Sequence, residues 1–91
     1  MMIETMFDVV DRASRDVIAT SDELSHAQDD LEAYVFRYNR NAHIRRTTRA
    51  TDCKEFYQFM EMLREGRRNR DAAYAQHLRD VEEMSAQRWA S

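Results

Sequence analysis

The sequence predicts an all-α protein, an antiparallel two-helix hairpin with coiled-coil-like packing. Three observations favour this class. The 91 residues include no proline and one glycine, whereas sheet proteins usually need several of each for their turns. Charged residues make up 34% and apolar residues 43%, a mixture typical of helical bundles. The third observation is a seven-residue repeat of apolar side chains in the first half of the chain.

That repeat predicts a first helix over residues 3–41. Of eleven core-facing positions, ten are apolar, and only Thr20 is not. Five heptads in one phase indicate a helix that packs along a single seam. The positions are Ile3, Met6, Val10, Ala13, Val17, Thr20, Leu24, Ala27, Leu31, Tyr34 and Tyr38.

The repeat stops at residues 42–51, which predict the basic tip of the hairpin. Asn39 and Asn41 precede it, and asparagine tolerates the left-handed conformation that ends helices. Asp52 and Glu55 then form a capping pair that predicts a second helix over residues 52–89. We therefore interpret residues 1–91 as a single helical domain.

An alternative fold remains open at the sequence level. The segment from Thr20 to Glu23 has the form of a capping box, which marks a helix start. A break near residues 20–22 would give a three-helix bundle. In either case the chain has more apolar residues than two helices can bury, so dimerisation into a four-helix bundle is a further possibility.

The surplus apolar side chains predict a binding surface. Phe36 lies off the seam of the first helix, and Tyr57, Phe59 and Met62 surround the second helix. A helix that is apolar all round is normally buried all round. We therefore expect this face to bind a partner protein or a second copy of the chain.

Charge is distributed unevenly along the chain. The net charge is −3, yet residues 37–70 carry ten basic and four acidic side chains. An Arg-rich tip beside the apolar face would orient the bound partner and increase the rate at which the partner associates. The arginines predicted to contact the partner are Arg37, Arg40, Arg45, Arg46 and Arg49.

The predicted function is that of a small non-enzymatic interaction protein, such as an adaptor, an assembly subunit or a stoichiometric inhibitor. One alternative is a nucleic-acid-binding helical dimer that places the same arginines on phosphates. A less favoured alternative is an acidic mimic of nucleic acid, since the first 36 residues carry nine acidic and two basic side chains.

The sequence contains no pattern typical of catalysis, metal binding or cofactor binding. His26, His43 and His77 are far apart, and the single cysteine, Cys53, rules out an internal disulfide. We expect no enzymatic activity, no metal, no cofactor and no small-molecule substrate. No segment has the length of a membrane span or the form of a signal peptide, so the predicted location is the cytoplasm.

Overall fold

A computed structural model of the chain describes residues 2–90, with side chains described for residues 2–86. The chain forms three strands and two helices, so the fold is α+β. In chain order the elements are β1 (Ile3–Asp11), β2 (Val17–Ser21), α1 (Leu24–Tyr38), β3 (Ala42–Ala50) and α2 (Lys54–Ala90).

The sheet is antiparallel, and its strands lie in the order β2-β1-β3. β1 pairs with β3 along its whole length, from Ile3 opposite Ala50 to Asp11 opposite Ala42. β2 and β3 both run against β1 and are therefore parallel to each other, with α1 connecting them. This arrangement is a split βαβ unit, in which the central strand lies between the two strands that the helix joins.

The prediction of an all-α hairpin with coiled-coil packing is wrong, and so is its three-helix alternative. Residues 3–21 form a β-hairpin instead of a helix. The reason lies in β1, because both of its faces are covered. Its buried apolar residues are Met6, Val9 and Val10, and their spacing of three and four residues imitates a helical repeat.

The hairpin turn between β1 and β2 also escapes the usual sequence signals. It contains no glycine, and Arg15 adopts the left-handed conformation with a φ of 63°. The Asp11 carboxylate holds the turn by accepting hydrogen bonds from the backbone N–H groups of Ala13 (2.8 Å) and Ser14 (3.0 Å). An aspartate that binds the amides two and three residues ahead replaces the glycine that a tight turn would normally need.

The two helices begin and end at recognisable residues. α1 begins immediately after Glu23, the last residue of the predicted capping segment, and it ends at Asn39, whose φ of 52° is left-handed. Residues 42–51, predicted as the hairpin tip, form β3 and the residue after it. α2 is continuous through Gly66 and corresponds to the predicted second helix of residues 52–89.

The core is small, and the molecule is elongated. The buried apolar residues among those described are Met6, Val9, Val10, Ala27, Tyr34 and Leu63. The molecule measures 64 × 23 × 19 Å because α2 extends beyond the sheet. Its accessible surface is 7242 Å², whereas a compact protein of 10.9 kDa would expose about 5,600 Å². The excess surface indicates that part of the helix has no packing partner.

Candidate functional site

The five arginines of the predicted tip are divided among three elements. Arg45, Arg46 and Arg49 lie on β3, Arg37 is in the last turn of α1, and Arg40 is in the loop between these elements. The sheet brings the β3 arginines close to acidic residues of β1. Their role therefore depends on which of them are already paired within the chain.

Asp8 is the centre of the first network. Its side chain is fully buried, and the strand register places it between Thr20 of β2 and Arg45 of β3. Asp8 accepts hydrogen bonds from Thr20 Oγ1 at 2.7 Å, from Arg45 Nη2 at 3.2 Å and from Arg49 Nη2. A buried carboxylate requires such partners, so these two arginines stabilise the sheet.

Asp11 is the centre of the second network, at the end of β1. Besides the two turn amides it accepts a hydrogen bond from the Tyr34 hydroxyl at 2.5 Å and one from Arg40 Nε at 2.7 Å. The Arg40 guanidinium holds the pKa of this carboxyl far below its usual range, although burial opposes the shift. Burial, with the hydrogen bond to Asp11, raises the pKa of Tyr34 to about 12. The site is therefore a carboxylate bound by a neutral tyrosine and a cationic arginine.

A third network joins the two helices. The Tyr38 hydroxyl donates a hydrogen bond to Asp71 of α2, and Arg37 Nη2 lies 3.5 Å from the same carboxylate. The Tyr38 hydrogen bond lowers the pKa of Asp71, and burial raises the pKa of Tyr38. The Tyr38 ring also packs edge-on against Tyr74, with 5.6 Å between the ring centroids. These contacts fix the end of α1 against the middle of α2.

Four of the five predicted partner-binding arginines therefore pair with carboxylates of their own chain. Within residues 2–86, only Arg46 of this set forms no ion pair. Arg40, Arg45 and Arg37 remain about half exposed, so they can still contact another molecule, but their charges are largely compensated. Sequence reasoning missed this pairing because it placed Asp8 and Asp11 on the outside of a helix.

The predicted aromatic surface is also divided. Phe36 of α1 is 92% exposed, and Tyr57 and Met62 of α2 are largely exposed. Phe59 instead packs against the guanidinium of Arg49, 4.2 Å from the ring centroid. Five residues of helix rotate a side chain by about 140°, so Tyr57 and Met62 point to different sides of α2. Phe36 of α1 and the three residues of α2 therefore do not form one continuous apolar surface.

A different apolar surface runs along the part of α2 after Tyr74, called here the free half of α2. This helix packs on the rest of the molecule through its buried or half-buried positions, which are Phe56, Phe59, Met60, Leu63, Gly66, Arg70, Asp71 and Tyr74. Side chains from residue 75 to residue 86 are all exposed. Apolar side chains nevertheless continue on the same side of the helix, at Leu78, Val81 and Met84.

Helical geometry places these residues in line with the packed face. Successive residues of a helix are rotated by about 100° around its axis, so Tyr74 lies about 20° from Val81. Leu78 and Met84 lie about 60° to either side of Val81. The face of α2 that packs on the sheet and α1 therefore continues beyond Tyr74, where no other part of the described chain covers it. In the predicted hairpin the first helix would have covered this face, so its exposure was not predicted from the sequence.

The cysteine and the histidines considered for catalysis or metal binding do not form a reactive site among the described residues. The Cys53 thiol donates a hydrogen bond to the Ala50 carbonyl at 3.3 Å, where β3 turns into α2. Within residues 2–90, no group of three or more His, Cys, Asp and Glu residues is arranged to hold a metal ion. In the same range, no helix is both long and apolar enough to cross a membrane.

Comparison of the chain with models of protein families, with curated proteins and with solved structures gives no match in any of the three.

Proposed function

We propose that this protein is a non-enzymatic interaction protein that binds a helical segment of a partner protein along the free half of α2. The observation that carries the proposal is the continuation of the packed face through Leu78, Val81 and Met84. A helix in a groove or against another helix is bound through such apolar positions, which recur every three or four residues.

The energetics of an isolated helix support a missing partner. Isolated helices shorter than about 12–15 residues are marginal in water because nucleation is costly, and helices in proteins gain most of their stability from packing one face. In α2 the side chains are exposed from residue 75 to residue 86, a stretch of about this length. An amphipathic sequence at this position is explained by a partner that covers its apolar side.

The charges beside the apolar face favour a particular kind of partner. Asp80 and Glu82 lie about 100° to either side of Val81, so both edges of the face are acidic. A second copy of the helix, packed face to face, would place acidic edges against acidic edges. A partner helix with lysines or arginines beside its apolar positions would instead be complementary, and charge complementarity selects partners.

A photo-crosslinking experiment tests the proposal. A photoreactive amino acid is introduced at position 81, and a matched variant carries it at position 72. Ala72 is exposed and lies about 180° from Val81 on the same helix. We expect position 81, and not position 72, to crosslink in extracts of the native cells to one protein, through a segment that peptide sequencing identifies as a basic amphipathic helix.

Two results would contradict this proposal. Equal crosslinking from positions 72 and 81 would mean that the apolar face is not the binding surface. Crosslinking of position 81 to a second copy of this chain, with light scattering that gives twice the 10.9 kDa mass of one chain, would replace the heterologous partner by a homodimer.

The nucleic-acid alternative receives less support from the side-chain contacts. Phosphate binding needs arginines whose charge is available, and four of the five candidates pair with Asp8, Asp11 or Asp71. An acidic mimic needs exposed carboxylates, whereas Asp8 and Asp11 are buried. We therefore do not propose either function.

A further inference from the structure

A cavity lies between α1 and α2 beside the edge strand β2. Its volume is about 90 Å³, several times the roughly 10–15 Å³ that one water molecule needs. Three arginines from the two helices line it, together with two tyrosines. One carboxylate also lines it. These six residues are Arg37, Arg67, Arg70, Tyr34, Tyr38 and Asp30.

Arg70 has an unmet hydrogen-bonding requirement at this cavity. Its Nε atom is buried and has no hydrogen-bond partner. The guanidinium carbon lies 5.8 Å from the centroid of the Tyr34 ring, so the tyrosine supports the charge from one side. A buried N–H without an acceptor is costly. Because the Nε atom has almost no accessible surface, a ligand in the cavity would gain this hydrogen bond only if the Arg70 side chain turned towards it.

The position of Gly66 fits this arrangement. It lies one turn before Arg70 inside a continuous helix, where glycine is unfavourable by about 1 kcal/mol relative to alanine. A Cβ atom at this position would lie 3.3 Å from Nη1 of Arg70, closer than an ordinary contact. The only glycine of the chain therefore leaves room for the Arg70 guanidinium to lie against its own helix.

We propose that this cavity binds a tetrahedral oxyanion, namely phosphate or a phosphate monoester. The charge at the cavity supports this ligand. Arg67 and Arg70 form no ion pair with residues 2–86, and Arg37 makes only the 3.5 Å contact with Asp71. Asp30 is the one carboxylate of the lining, and Asp71 is paired with Arg37, so three cations are opposed by two anions and one positive charge remains in excess.

The number of donors favours a phosphate group over a carboxylate as the ligand. Guanidinium groups bind oxyanions through two parallel N–H donors, and each arginine has five donors in total. Three arginines from two helices can together supply more donors than the two oxygens of a carboxylate accept. A phosphate group offers three or four oxygens that point in different directions. Binding would tie α1 to α2 and fix the direction in which the free half of α2 leaves the body.

Thermal unfolding and calorimetric titration test the proposal. The purified full-length chain is measured with inorganic phosphate, with glycerol 3-phosphate and with sodium chloride at the same ionic strength. We expect both phosphate ligands, and not chloride, to raise Tm and to release or absorb heat on saturable binding. Tighter binding of glycerol 3-phosphate than of inorganic phosphate would identify the monoester as the preferred ligand, and the reverse order would identify the free anion.

Neighbouring arginines provide a matched pair of variants. Arg67→Ala removes a cavity arginine, whereas Arg68→Ala removes the same charge from an exposed position outside the cavity. We expect Arg67→Ala to weaken phosphate binding by at least about tenfold, as loss of a charge-assisted hydrogen bond should. Arg68→Ala should change binding by less than about twofold.

Arg70→Met gives a second test and should abolish binding. If this variant fails to fold, the comparison of Arg67→Ala with Arg68→Ala still decides the matter. Absence of any phosphate effect beyond that of chloride would overturn the proposal. Equal weakening by Arg67→Ala and Arg68→Ala would overturn it too, because it would indicate general attraction to a basic surface.

Discussion

The Tyr34 hydroxyl donates a 2.5 Å hydrogen bond to Oδ2 of Asp11, and this contact joins the middle of the chain to the end of the central strand. Asp11 is 1% exposed and Tyr34 is 5% exposed, so water does not compete for the bond. The same carboxylate binds Arg40 and closes the hairpin turn. One side chain therefore holds three connections of the fold.

Asp11→Asn should destabilise the protein strongly. The amide has no charge for Arg40, and its NH₂ group would face donors where the carboxylate had accepted hydrogen bonds. Hydrogen bonds to a charged group typically contribute about 1.5–3 kcal/mol each, and Asp11 is buried although Arg40 is half exposed. We expect a loss of about 3 kcal/mol in the free energy of unfolding, measured by urea denaturation. Asp16→Asn, in the same turn but exposed, should cost less than about 0.5 kcal/mol.

The hydrogen-bonded pair of Asp11 and Tyr34 should affect the free energy of unfolding at both acid and alkaline pH. The pKa of Asp11 is lowered on folding, so its contribution is complete above the unfolded value of 3.8 and is lost as the pH falls below it. The pKa of Tyr34 is raised, so its contribution is complete below pH 10.0 and is lost as the pH rises towards about 12.

Tyr34→Phe separates the two ends of that profile. It removes the group that ionises between pH 10.0 and about 12, so the alkaline loss of stability should become shallower. The acid limb should remain, since Arg40 still lowers the pKa of Asp11. Unfolding free energies measured from pH 2 to 11 provide the check. An unchanged alkaline limb in this variant would show that another group causes it.

Arg49 and Arg46 lie on the same strand and provide a comparison of paired and unpaired arginines. Arg49 binds buried Asp8 and covers Phe59, whereas Arg46 has no ion pair within residues 2–86. Arg49→Met should cost about 1–3 kcal/mol, because Asp8 loses a charged partner. Arg46→Met should change stability by less than about 0.5 kcal/mol. The test is chemical denaturation of both variants, and equal effects would contradict a structural role for the Arg49 pair.

The sequence predicted some local features of this fold and missed its class. Asn39 was identified as a residue that tolerates a left-handed helix end, and its φ of 52° agrees. The segment from Thr20 to Glu23 was a candidate capping box, but its first two residues lie in β2, and α1 begins only after Glu23, without a side-chain cap. The second half of the predicted heptad repeat lies in α1, where it is helical. Its phase continues into β1 because Met6 and Val10, four residues apart, are both buried in a strand that lacks the alternation by which a half-exposed strand is recognised.

The functional surfaces were predictable to different degrees. Val81 and Met84 have helical spacing in the sequence, but their exposure was not predicted, because a hairpin would have covered them with the first helix. The pairing of Arg45 and Arg49 with Asp8 was not visible, because it depends on strand register between residues about 40 positions apart. Arg15 hid the hairpin turn, since a turn residue with positive φ is normally glycine or asparagine.

Arg15→Gly should therefore stabilise the protein. An L-residue with a side chain pays about 1–2 kcal/mol in the left-handed conformation, and glycine does not. Glycine also makes the unfolded chain more flexible, which offsets part of the gain. We expect a net increase of about 0.5–1 kcal/mol in the free energy of unfolding. Arg12→Gly is the control, because Arg12 has no positive φ, and it should bring no gain. A stabilisation of equal size in both variants would argue against backbone strain at Arg15.

The free half of α2 should differ from the packed half in hydrogen exchange. Backbone amides between Phe56 and Leu63 lie in turns that pack on the sheet and on Arg49, so opening them requires loss of tertiary contacts. Amides from residue 78 to residue 86 belong to turns whose side chains are all exposed, so these turns can fray without that cost. We expect exchange in this segment to be at least about tenfold faster than in the packed turns. Binding of the partner along Leu78 and Val81 should slow exchange there and leave residues 56–63 unchanged. Strong protection of residues 78–86 in the isolated monomer would mean that the segment is stable by itself, and it would contradict the proposal that a partner covers its apolar face.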